Sequence, residues 1–214
     1  ESIAVDAGGD VYVADTGNDR VQRFSATGAF EAQWGSSGSG HGQFRGPSGV
    51  VVDASGDVFV ADAGNDRVQR FSSAGVFEAA SGSSLDDPGD LALGVGPSIY
   101  VADRGHGRVL RFTRGGGLRP LFEEVPLPVF SSTHAAAGLA TDQDGNLYVL
   151  RGARSVDKYS RSGLFVQRLG PGSGSQWAVV VDADRRLVLA RQDTSTAAAG
   201  RSRHGIQRGG GGDA

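Results

Sequence analysis

The chain has 214 residues, 35 of them Gly, with no Cys and no Met. The glycine follows no G-X-Y period and 38% of the residues are hydrophobic, which excludes a collagen-like chain and a disordered one. The absence of Cys excludes disulfide scaffolds, thiolate zinc sites and cysteine nucleophiles, and a net charge of -3 argues against a dominant electrostatic affinity for nucleic acid or anionic membranes. No apolar run approaches the ~20 residues of a membrane helix, so no membrane insertion is expected. The charge is unevenly spread. Residues 1–107 hold 6 Arg against 15 Asp and Glu, whereas 108–214 hold 15 Arg and Lys against 9 acids. The chain opens on Glu1, and a fragment or a processed chain is expected.

Self-similarity organises the sequence into units starting near residues 2, 49, 90, 138 and 178. Residues 2–24 (SIAVDAGGDVYVADTGNDRVQRF) match 49–71 without a gap; 90–112, 138–159 and 178–193 are progressively fainter copies. Within the first unit a short apolar strand (3–5) meets a turn at Asp6 and Gly8-Gly9, and a second strand follows at 11–14. Asp15-Thr16-Gly17-Asn18-Asp19 is turn chemistry, with Gly and Asn able to take positive φ, before a third strand at 20–24. Fourth strands are predicted at 29–34, 75–79, 118–122 and 164–169. Four short strands in 40 to 48 residues make one propeller blade, so the fold class is all-β: a β-propeller of about five four-stranded antiparallel blades over 1–193. Residues 194–214 read as a flexible Gly/Arg-rich tail, the alternative being that 204–208 is a remnant third strand with Ile206 in the place of Val21.

On VYVADTGNDRVQRF (11–24), VFVADAGNDRVQRF (58–71) and the linker GSGHGQFRGPSG (38–49), the chain resembles the NHL-repeat family. The resemblance implies a six-bladed ring, and the blade missing from five units is expected upstream. It also implies an exported or cell-surface location. Two departures bear on function: the His that usually follows the loop Asn is Asp19, Asp66 or Gly107 here, and the Asp of the YVAD segment (Asp15, Asp62, Asp103) becomes Arg151 and Arg191, so the loop surface is expected to change sign.

The Asp15, Asn18, Asp19 set lacks the alternating ligands and terminal Glu of a calcium loop, and capping of the turn by the Asp is preferred. Asp6, Asp53, Asp142 and Asp182 are read as hairpin-turn residues. The Gly-rich stretch around His41 lacks the strand and helix of a phosphate loop and reads as an interblade connector, with Phe44 plugging the gap between blades. His41, His106, His134 and His204 occupy non-equivalent repeat positions, so no metal and no cofactor are predicted. His134 lies nearest a first strand and hence the central channel. Arg23, Arg70, Arg111 and Lys158 recur at one site of the third strand without interleaved aromatics, so nucleic acid is not an expected partner; pairing with nearby acids is.

The preferred function is a noncatalytic scaffold that binds a protein or another extended ligand through its blade loops. The candidate surface comprises Asp15, Asn18, Asp19, Arg20, Asp62, Asn65, Asp66, Arg67, Asp103, His106, Arg108, Arg151 and Arg154. The alternatives are a metal-dependent lyase or hydrolase working in the central channel, as the resemblance to propeller lyases and lactonases implies, and the sensor ectodomain of a longer chain.

Overall fold

The computed structural model describes residues 2–82, 84–113, 119–120, 136–151, 155–169, 175–181, 187–192 and 204–208. They form five antiparallel sheets, in each of which every strand pairs with the next in sequence. The first blade holds β1 (Ser2–Val5), β2 (Val11–Asp15), β3 (Arg20–Phe24) and β4 (Phe30–Trp34). The second holds β5 (Pro47–Val52), β6 (Val58–Asp62), β7 (Arg67–Phe71) and β8 (Phe77–Ser81). In the third are β9 (Pro88–Leu93), β10 (Ser98–Asp103), β11 (Arg108–Thr113) and the short β12 (Arg119–Pro120). The fourth comprises β13 (Ala136–Thr141), β14 (Leu147–Arg151), β15 (Ser155–Tyr159) and β16 (Phe165–Leu169). The fifth has three described strands, β17 (Ser175–Val181), β18 (Leu187–Gln192) and β19 (His204–Arg208). This is the propeller-blade architecture that the repeats predict.

β19 corrects part of the tail reading. Ile206 stands opposite Ala190 as Val21 stands opposite Ala14, so 204–208 form a third strand after all. The rest of the expected tail lies outside the described residues, as does Asp182.

The core lies between blades rather than within them. Val58 and Val60 of β6 pack with Tyr12, Ala14, Val21 and Phe44 on the first-blade side, while Phe59 and Ala61 pack with Leu91, Ile99 and Val101 on the third-blade side. Alternate residues of one strand thus serve opposite neighbours, which is why β6 is buried along its whole length. Each such Val, Leu or Phe contributes about 1.5–3 kcal/mol on burial, and stability rests on these layers. Phe44 is fully buried with its ring 5.5 Å from that of Phe71, the plug that the connector predicts.

First strands gather at the hub: β1 lies against β5, β5 against β9, β9 against β13 and β13 against β17. The approach is close enough that a Cβ on Gly49 would stand 2.6 Å from the Gly89 carbonyl oxygen. Ile3 and Val5 of β1 are 66% and 59% exposed, whereas their repeat equivalents Val50 and Val52 are buried, because no blade among the described residues covers that side of β1. The other four first strands each carry a register shift near their start, at Ser48, between Pro88 and Leu91, at Ala137 and at Trp177. Bulges of this kind bend a strand and re-aim its side chains, here at one end of the hub.

Candidate functional site

The loop residues expected to meet a partner are mostly engaged inside the protein. Asp15 accepts hydrogen bonds from Asn18 Nδ2 (2.9 Å) and Arg20 Nε (2.8 Å), and Arg20 also donates to Gln33. Asp62 is completely buried and accepts from Arg45 N (2.7 Å), Asn65 Nδ2, Arg67 Nε and Gln69 Nε2. Arg67 donates further to the carbonyls of Ser39, Gly40 and Gln43, clamping the connector. Asp103, equally buried, accepts from Asp86 N and Arg108 Nε and contacts His106 Nδ1 at 3.0 Å. The Asp at this position therefore holds side chains and, in the second and third blades, the incoming connector's backbone; no side-chain cap of the following turn forms.

Asp19 and Asp66, rather than Gly17 or Asn18, take the left-handed conformation, both at φ 52. Their carboxylates accept Gly46 N (2.7 Å) and Asp87 N (2.9 Å), tying each blade to the lead-in of the next. Arg151 is engaged within its blade: it donates to Asp157 at 3.2 Å, and Arg168 donates to the same buried carboxylate at 2.7 Å. The fourth blade has exchanged the polarity of its loop pair, with two guanidiniums on one carboxylate among the described residues. Burial pushes the Asp157 carboxyl up, but the hydrogen bonds and charges of Arg168 and Arg151 outweigh it and hold the pKa below the ordinary value. Arg154 lies outside the described residues.

At the opposite end, Asp6, Asp53 and Asp142 accept turn N–H groups as expected. Arg23 pairs with Asp10 and Glu31, Arg70 with Asp57 and Glu78, and Lys158 with Asp142. His41 stacks on Phe77 at 4.4 Å, His106 is half exposed over Asp103, His204 lies on β19 and His134 is outside the described residues.

Three residues of the third blade leave the repeat pattern at one place. Asp90, on β9 at the hub, occupies the position of Ser2, Gly49, Gly138 and Ala178 in the other blades. Its two carboxyl oxygens accept N–H bonds from Leu91 (2.9 Å) and from Leu139 of the next blade (2.8 Å), and each keeps a second lone pair. Ser2 makes the same kind of interblade tie, to Val50 N. Burial pushes the Asp90 carboxyl above the ordinary range despite the lowering by these N–H groups and by the charge of Arg104. Arg104 replaces Thr16 and Ala63 of the other loops. It donates from Nε to the Asp87 carbonyl (3.2 Å) and from Nη2 to the Asp87 carboxylate (2.8 Å). Its stem lies across Gly89, where a Cβ would meet Arg104 Cδ at 2.8 Å. Ser48 of the neighbouring first strand turns its hydroxyl onto the carbonyls of Pro88 and Gly89, bracing the bulge that carries Asp90.

Repeat counting alone missed this cluster. A carboxylate in a column of Ser, Gly and Ala was the available signal, since a hub position that small is under pressure to stay neutral. Among the described residues no three His, Asp or Glu side chains converge in a way that would hold a metal ion, so the ligand set that the resemblance to channel-metal enzymes implies does not fit them. No helix among the described residues is long and apolar enough to cross a membrane.

The model of the NHL repeat matches residues 1–24 and 44–71. No curated protein matches the chain. Among solved structures, a streptogramin B lyase superposes with a TM-score of 0.70 at 16% identity, covering 96% of this chain and 66% of that one. A catalytically inactive virginiamycin B lyase from Staphylococcus aureus, with quinupristin, gives 0.69 at 13% identity over 96% of this chain and 68% of its own. A gluconolactonase from Xanthomonas campestris gives 0.70 at 19% identity, covering 88% and 68%. The chain thus spans about two thirds of the length of each. These neighbours are enzymes, which overturns the expectation of a noncatalytic scaffold and favours the channel-enzyme alternative over it. With the two best-formed units matched and every described sheet built as a blade, the chain carries NHL repeats in a β-propeller fold.

Proposed function

We propose that the protein is a propeller enzyme, a lyase or hydrolase whose reacting centre lies at the hub mouth of the third blade, with Asp90 moving the proton. The observation that carries this reading is the Asp90 carboxyl itself: an acid at the one hub position where every other blade has a small neutral residue, bonded to the Leu91 and Leu139 N–H groups and raised above the ordinary carboxylate range by burial. A carboxyl raised in this way is a stronger proton acceptor, once ionised, than an ordinary one. In a hydrolysis the Asp90 carboxylate would take a proton from the water that attacks the acyl carbon and return it to the leaving oxygen as the acyl carbon–oxygen bond breaks; in an elimination it would take the proton from carbon as a carbon–carbon double bond forms and the neighbouring carbon–oxygen bond breaks, the oxygen leaving as a carboxylate. Neither step is routed through a metal. The names of the fold neighbours, a streptogramin B lyase, a virginiamycin B lyase and a gluconolactonase, suggest the first compounds to try.

The experiment is incubation of the protein with a panel of sugar lactones and streptogramin B antibiotics, read by mass spectrometry. Hydrolysis adds the mass of one water, and ring opening by elimination leaves the mass unchanged while shifting retention. Asp90→Ser, which copies the residue of the first blade, should abolish turnover with the fold intact. Turnover of a panel member that survives Asp90→Ser would refute the assignment.

A further inference from the structure

We infer that Arg104, seated over Gly89, forms an oxygen-binding subsite beside Asp90, taking an ester carbonyl before reaction and the carboxylate afterwards. This deepens the reading of Asp90 as the proton-transfer group and rests on it for the identity of the substrate, though not for the binding itself. Arg104 has five N–H donors, of which two are used, both on Asp87. Its side chain is about one-third exposed, and Nη1 donates to no described residue. A planar guanidinium with a free edge is suited to carboxyl-type oxygens, which it binds in a fork.

The placement depends on two coordinated departures from the repeat. The loop position of Arg104 is Thr in the first blade, where Thr16 bonds the Pro47 carbonyl, and Ala in the second. The bulge position of Gly89 is Ser in the second blade, where Ser48 bonds across to the third. With Ser, or even Ala, at 89 the Arg104 stem would be displaced, because its Cγ, Cδ and Nε all lie within 3.1 Å of the Cβ position. Gly89 is not among the residues at positive φ, so backbone conformation does not require Gly there; the room for Arg104 does. Asp87 holds the guanidinium from the other side while its own charge opposes an incoming anion, which favours release of a carboxylate product.

The test is isothermal titration calorimetry of the whole protein with gluconate, lactate and citrate, alongside thermal unfolding of each variant. Wild type should bind at least one of these carboxylates. Arg104→Gln should weaken that binding about tenfold or more, since a charged forked hydrogen bond is lost, with the unfolding midpoint nearly unchanged. Gly89→Ala, which retains the arginine and moves it, should weaken binding as well. Asp87→Asn, which keeps an acceptor and removes the opposing charge, should tighten it about fivefold. No binding of any of the three by wild type, or equal binding by wild type and Arg104→Gln, overturns the subsite. The two readings fail separately: Arg104-dependent carboxylate binding without turnover sinks the reaction at Asp90 and keeps the subsite, and Asp90-dependent turnover untouched by Arg104→Gln does the reverse.

Discussion

Replacing Asp62 by Ala measures how much of the propeller's stability lies in the polar clamps between blades. The Asp62 side chain has no solvent exposure and satisfies the Arg45 N–H, the Asn65 and Gln69 amides and Arg67 Nε, all at 2.7–3.0 Å. Alanine would leave a nearly buried guanidinium, a fully buried Gln69 amide and a backbone N–H short of an acceptor. Breaking a buried ion pair by removing one partner costs about 3–5 kcal/mol. Because Arg67 keeps three carbonyl acceptors on the connector, the low end, about 3 kcal/mol, is expected. In a protein of this size each kcal/mol shifts the unfolding midpoint by about 2–4 °C, so a fall of about 6–12 °C should appear in thermal unfolding followed by circular dichroism. Asp15→Ala, at the same repeat position, is the internal control. Its Arg20 pair is the more exposed one, at 32% and 14% against 14% and 0% for Arg67 and Asp62, so its loss should be smaller. Equal losses at Asp15 and Asp62, or an Asp62 loss below about 1 kcal/mol, would refute the argument that burial decides the worth of this repeated pair.

Three further outcomes follow from the same geometry. Tyr159 replaces the Phe of the first three blades (Phe24, Phe71, Phe112); burial and then the charge of Asp157 raise its phenol to about 12, and its buried hydroxyl makes no well-formed hydrogen bond among the described residues. Tyr159→Phe should therefore be stabilising, by about 1 kcal/mol in urea unfolding; a loss would show that the hydroxyl is engaged. The Asp157 carboxyl is depressed in the folded state, so its contribution is present above the ordinary value near 3.8 and is lost as pH falls through the lower folded value. Midpoints measured from pH 7 down to about 3 should converge for wild type and Asp157→Asn at the acid end; parallel profiles would contradict the assignment. Gly49→Ala would drive a Cβ to 2.6 Å from the Gly89 oxygen and part the hub strands, costing about 1–3 kcal/mol, whereas Gly17→Ala, with nothing within 4 Å, should be nearly neutral.

The loop cluster shows where reading residues stops. Asp15, Asp62 and Asp103 are legible as one repeated element, and their spacing to Arg20, Arg67 and Arg108 predicts adjacent strand ends, as the register shows. The engagement of Asp62 and Asp103 is not legible, because it depends on connectors 17 to 28 residues away folding back over their loops. The same holds for Arg151. Its sign is read from the sequence, but its partner Asp157 sits at a third-strand position where the second blade has Gln69, so the ion pair becomes visible only when the strands are paired.

What the sequence determines by itself is the blade. Apolar alternation, Gly and Asp at turns, and repeats of 40 to 48 residues dictate local hairpins whose contacts are all near in sequence, and those hairpins form where expected. What only the tertiary structure decides is which residues meet at the hub. There the first strands of successive blades come together across some forty intervening residues, and that convergence sets Asp90 between Leu91 and Leu139. It also determines how a carboxyl behaves, because desolvation depends on everything packed around a group and not on its neighbours along the chain.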